Sequence, residues 1–147
     1  MKLLFTRRHH IGSWLIRMVT WSEYSHVDLV LDEDLLIGAI AGDGVVLVNI
    51  KDRLAKSSKA VMMDVPVTDI QAAKAFAISQ LGKDYDTWGA LGIGLKRNWQ
   101  DDDKWSCAEF ATGILTIGGQ RPFDSKFYHR IVPQHLLMLN FEKVRIK

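Results

Sequence analysis

Residues 24–50 read Tyr24-Ser25-His26-Val27-Asp28-Leu29-Val30-Leu31, then Asp32-Glu33-Asp34, then Leu35-Leu36-Ile37-Gly38-Ala39-Ile40, then Ala41-Gly42-Asp43-Gly44, then Val45-Val46-Leu47-Val48-Asn49-Ile50. Three runs rich in β-formers, 26–31, 35–40 and 45–50, are separated by two turn signals. The acidic triplet makes the first turn, and Gly42-Asp43-Gly44 makes the second, with Asp-Gly a strong hairpin dipeptide. The pattern predicts an antiparallel meander. Side chains alternate between faces along a strand, so His26 and Asp28 share one face.

Further out, Lys2 to Thr6 reads as a short strand. Ile11, Leu15, Ile16 and Val19 recur at helical spacing, which predicts a helix over 11–20. Ala60 to Val65 reads as a fourth strand, stopped by Pro66. Thr68 with Gln71 fits a capping box and predicts a helix from 68 to 81, ended by Gly82. Residues 88–95 look helical but carry Gly89, Gly92 and Gly94, which weaken the helix. Residues 96–104 are polar and read as a loop. Trp105 to Ile117 reads as a helix with Gly118-Gly119 as its stop. Pro133 opens a short helix through Leu139, and Phe141 to Ile146 alternates as a last strand. Strands come first and helices later, an α+β order. No repeat or linker appears, so residues 1–147 are expected to form a single domain.

Composition narrows the function. The chain has 147 residues, 48% hydrophobic and 24% charged, with a net charge of +2. That charge is too small to suggest nucleic-acid binding, and no basic stripe with interleaved aromatics supports it. A single cysteine excludes an internal disulfide framework and a multi-cysteine zinc site. The opening Met-Lys-Leu-Leu-Phe is too short for a signal-peptide core. The apolar stretch from Leu35 to Ile50 is broken at Gly42-Asp43-Gly44, so it cannot be a membrane span. The expected location is therefore cytoplasmic.

The lone cysteine, Cys107, lies in Lys104-Trp105-Ser106-Cys107-Ala108-Glu109-Phe110, at the head of a helix. Unpaired N–H groups and the helix dipole there favour a thiolate. A packed, inert cysteine is the ordinary alternative. A catalytic cysteine needs a base near in space, and sequence distance does not matter. His26 is the candidate. Glu109 reads as structural. Arg7-Arg8-His9-His10 and Asp101-Asp102-Asp103 lack the spacing of a metal or calcium site. No metal and no cofactor is expected.

Four blocks together resemble the permuted papain-like NlpC/P60 superfamily, of the YiiX and YaeF/YebB type. They are Tyr24-Ser25-His26-Val27-Asp28-Leu29-Val30, Gly82-Lys83-Asp84-Tyr85-Asp86, Trp105-Ser106-Cys107-Ala108-Glu109-Phe110 and Val132-Pro133-Gln134-His135-Leu136-Leu137. In this order the histidine block precedes the cysteine block. The resemblance implies a circularly permuted papain-like fold, an antiparallel meander or partial barrel packed against helices. It also implies a cysteine hydrolase or acyltransferase, with Cys107 as nucleophile and His26 as base. The bond cleaved would be an amide, or else a thioester or ester, in a small amide, peptide or acyl substrate. A phage or prophage product would suit such a chain. Oligomeric state is left open.

One departure stands out. Many relatives carry a polar residue on the strand after the histidine strand, and here that slot falls near Ala39. The candidates to orient His26 are then Asp28 first, and Asn49 and Asp43. Tyr24, Trp105 and Tyr85 are candidates for an oxyanion donor or pocket wall, with the backbone N–H of Cys107 as a further donor. The alternative reading is a weak or inactive binding module on the same fold.

Overall fold

A computed structural model of the chain describes residues 1–8, 22–85 and 104–147. The helices expected over 11–20 and 88–95, His9, His10, Asp86 and Asp101 to Asp103 lie outside these residues. Among these residues six strands form one antiparallel sheet: β1 (Lys2–Arg8), β2 (His26–Val30), β3 (Leu35–Ile40), β4 (Gly44–Asn49), β5 (Ser57–Asp64) and β6 (Glu142–Arg145). Their order across the sheet is β4-β3-β2-β1-β5-β6. The helices are α1 (Ile50–Ala55), α2 (Ile70–Ser79), α3 (Cys107–Ile117) and α4 (Pro133–Leu137), with a 3₁₀ turn at Ser125–Arg130. The predicted meander is therefore present, and α1 and the 3₁₀ turn are additions to it. Among the described residues no helix is long and apolar enough to cross a membrane.

Alternation divides the sheet into two layers. Leu3, Phe5, Val27, Leu29, Ile37 and Ala39 point into the main core, where α3 supplies Ala108, Phe110, Ala111, Ile114 and Leu115. Leu4, Leu36 and Ala60 form a smaller apolar cluster with Val30 and with Ile50 and Leu54 of α1. Every residue of α3 from Cys107 to Leu115 is buried, which explains its largely apolar sequence.

The turn before β4 uses Gly42 and Gly44 at φ +90° and +74°, a region that disfavours side chains. Gly44 has a second reason: a Cβ there would fall 2.3 Å from the carbonyl of Lys83. That close approach lets the Gly82-Lys83 segment pair with Val45, with N···O distances of 2.8 and 2.9 Å. The same segment then delivers Asp84, whose carbonyl accepts from Trp105 N at 3.2 Å. The start of α3 is thus tied to the edge of the sheet.

Two local expectations need correction. The cap of α2 is Asp69, which accepts from Ala72 N at 2.8 Å. Thr68 does not cap; its hydroxyl donates to Gly118 O at 3.2 Å. The cysteine helix begins at Cys107 rather than Trp105, because Ser106 is its cap and accepts from Glu109 N.

Candidate functional site

Ser106 ends the extended approach to α3 and places Cys107 at the first helical position. Cys107 is a free thiol, 7% exposed. Its backbone N–H belongs to the first turn, where amides lack helical partners. His26 opens β2 opposite Thr6 of β1, and its side chain is 11% exposed.

The imidazole is held on one side by its own strand. His26 Nε2 lies 2.7 Å from Asp28 Oδ1. The His26 pKa is raised to about 9. Burial opposes the charged form, but the charge and hydrogen bond of Asp28 outweigh it, and Cys107 adds hydrogen-bond and charge contributions in the same direction. With Nε2 engaged by Asp28, Nδ1 is the nitrogen left for the thiol.

Asp28 is fully enclosed, 1% exposed. Burial pushes its carboxyl up, but His26 and Arg53 hold it below the usual carboxylate range. Arg53 comes from α1, and its Nη2 donates to Asp28 Oδ1 at 3.0 Å. Its Nε stands 2.7 Å from Oδ2, a close ion pair rather than an aligned hydrogen bond. The result is a buried line of Arg53, Asp28 and His26, with Cys107 at its end.

The opposing position on β3 is Gly38, not Ala39. The pairs Leu29 with Ile37 and Val30 with Leu36 fix the register, so Asp28 faces position 38. A Cβ on Gly38 would sit 2.0 Å from Asp28 Oδ1 and 3.5 Å from His26 Nε2. Ala39 points the other way, into the main core. The sequence places this slot near Ala39, the register puts it at Gly38, and a one-residue slip exchanges the two faces. The carboxylate thus reaches the imidazole from β2 itself and fills the space that a side chain on β3 would need.

The other sequence candidates fall elsewhere. Asn49 caps α1 and accepts from Lys51 N at 2.9 Å. Tyr24 is half-buried against the main core, and burial raises its phenol pKa. Tyr85 and Trp105 form a short parallel bridge just before α3. Trp105 packs edge-on to Phe76 at 6.2 Å and against Phe110 at 5.7 Å. Its Nε1 donates to Gln80 at 3.2 Å. Trp105 therefore anchors the start of the cysteine helix. Glu109 is buried, 5% exposed.

Arg53 is the residue that sequence reasoning missed. Lys51-Asp52-Arg53 looks like a solvated charged run, and a six-residue helix carries too little periodicity to reveal an inward face.

No family model matches the chain, and no curated protein matches it. Among solved structures the chain is similar to the crystal structure of the metalloprotein YiiX from Escherichia coli O157:H7. The TM-score is 0.72 at 20% identity, over 97% of this chain and 94% of that one. At that identity the likeness establishes a shared fold: an α+β arrangement of a six-stranded antiparallel sheet packed with helices, resembling YiiX.

Proposed function

We propose that the chain is a cysteine-dependent hydrolase or acyltransferase on a circularly permuted papain-like fold. Cys107 is the nucleophile, His26 its base and Asp28 the group that orients His26. The observation that carries this reading is the 2.7 Å contact of His26 Nε2 with Asp28, on an imidazole whose proton is also supported by Cys107. Asp28 fixes the tautomer and the ring orientation, as the third member of a triad does.

In the reaction, the Cys107 thiolate adds to an amide carbonyl and the C–N bond breaks as the tetrahedral adduct collapses. His26 gives its proton to the leaving amine. A water molecule then loses a proton to His26 and attacks the acyl-enzyme, releasing the acid and the thiol. The Cys107 backbone N–H is the candidate oxyanion donor, at a helix start where such a group is preorganised. Ester and thioester substrates follow the same course with a different leaving group.

The similar structure is described as a metalloprotein. The donor set here does not suit a resident cation. Both oxygens of Asp28 lie within 3.0 Å of the Arg53 guanidinium, whose charge opposes a metal. Among the described residues no three His, Cys, Asp or Glu side chains converge as ligands. The proposed chemistry is accordingly that of the chain's own side chains.

Acyl trapping tests the reading. The protein is mixed with an activated ester and its intact mass followed with time. An acyl adduct on Cys107 that forms and then decays, and that is lost in Cys107→Ala and slowed at least about 100-fold in His26→Ala, is expected. A second reading, a binding module, draws on the 7% exposure of Cys107. It predicts no adduct in the parent protein.

A further inference from the structure

A buried arginine is costly unless its charge and its donors are matched. Arg53 is 1% exposed, and the reaction described above gives it no part. Its Nη2 shares Asp28 Oδ1 with His26 Nε2, at 3.0 and 2.7 Å respectively. Its Nε faces the other carboxylate oxygen at 2.7 Å. Its Nη1 is buried without a hydrogen-bond partner. Arg53 also lines an open cavity of about 440 Å³ with Ile40, Val46, Val48, Asp52 and Lys56. From β3, Gly38 contributes no side chain to wall in the carboxylate. Among the described residues, His26 and Arg53 are the two side chains that fix Asp28.

We infer that Arg53 is a positioning residue: it holds the Asp28 carboxylate on His26 and separates that carboxylate from the neighbouring cavity. The inference rests on the acyl-transfer reading, in which His26 must keep its proton until the leaving group takes it. Arg53 touches both the carboxylate and the cavity, so shortening it joins the two. Water then reaches Asp28, the carboxylate turns, and its charge on the imidazole is screened.

The sign of the effect separates positioning from charge alone. Removing a cation raises the proton affinity of every group nearby, so a residue acting by charge alone would, on removal, leave His26 more basic. Loss of positioning does the reverse, because His26 loses the partner that outweighs its burial. The groups acting on His26 are Asp28 on its own strand and Cys107 from α3, with Arg53 of α1 reaching it through Asp28. Asp43, Asp52 and Lys56 line the cavity.

The test is an NMR titration of the His26 ring in the parent protein, in Arg53→Met and in Arg53→Lys. The lysine variant keeps the charge but not the fork, and it guards against a methionine variant that does not fold. The expected result is a His26 pKa lowered by about one pH unit or more in Arg53→Met, and lowered to a lesser degree in Arg53→Lys. An unchanged or raised value in whichever variants fold, with only the melting temperature reduced, overturns the inference while leaving the acyl-transfer reading intact. A parent His26 that titrates at the ordinary value of about 6.5 overturns both.

Discussion

The two faces of β2 carry different physics within five residues. Val27 and Leu29 enter an apolar core shared with α3, while His26 and Asp28 enter a polar layer closed by Arg53. The apolar face is held by burial, which is non-directional and varies smoothly with size and shape. The polar face is held by contacts of 2.7 and 3.0 Å to Asp28 Oδ1 and of 2.7 Å to Oδ2, with 2.0 Å between Oδ1 and the place of a missing Cβ. A change on the first face should cost stability in proportion to what is removed. A change on the second should cost chemistry at once.

The largest expected effect comes from Asp28→Asn. It keeps the shape but leaves Arg53 buried without a counter-charge, which costs about 3–5 kcal/mol. It should also return the His26 titration towards the ordinary range. Denaturant melts and the histidine titration read the two effects separately.

Leu29→Ala is the matching change on the other face. Loss of about 2–5 kcal/mol is expected, with the His26 titration at its parental value. A shift in that titration would break the division between the faces.

Gly38→Ala adds a single methyl group beside Asp28. Overpacking of this kind costs about 1–3 kcal/mol, and the carboxylate must leave its 2.0 Å conflict. His26 should lose its support even though no polar atom has been removed. Ala39→Gly, one residue away on the apolar face, should cost about 0.5–1 kcal/mol and leave His26 unmoved.

The pH dependence of stability reads the polar face without any substitution. His26 is raised from 6.5 to about 9 on folding. Its contribution is fully present below the unfolded value and is lost as pH rises through the folded one. Stability should therefore decline between about pH 6.5 and pH 9, and His26→Ala should flatten that decline. At the acid end, Asp28 is lowered on folding, so its contribution is lost as pH falls below the ordinary carboxylate range.

Much of this layout is legible in the sequence, for physical reasons. Alternation and the Gly42-Asp43-Gly44 turn mark β2 to β4, and alternation alone puts His26 beside Asp28. Gly118 marks the end of α3, and the start was misread by two residues because the Ser106 cap follows an apolar Trp105. Thr68 and Asp69 are adjacent residues that can both cap, and the chain chooses Asp69 while Thr68 ties to Gly118. Gly38 and Ala39 could not be ranked without the register, which long-range pairing decides. Arg53 was hidden because its burial arises from α1 folding back over the sheet, a tertiary event with no local signature.

The most direct measurement is the rate of Cys107 alkylation by iodoacetamide as a function of pH, in the parent and in His26→Ala. A working Cys107–His26 pair predicts rapid alkylation at about pH 6.5, where an ordinary thiol is almost wholly protonated. In His26→Ala the rate should then follow the profile of a free thiol. A parent thiol that is inert, or whose profile is indifferent to His26, would contradict the account.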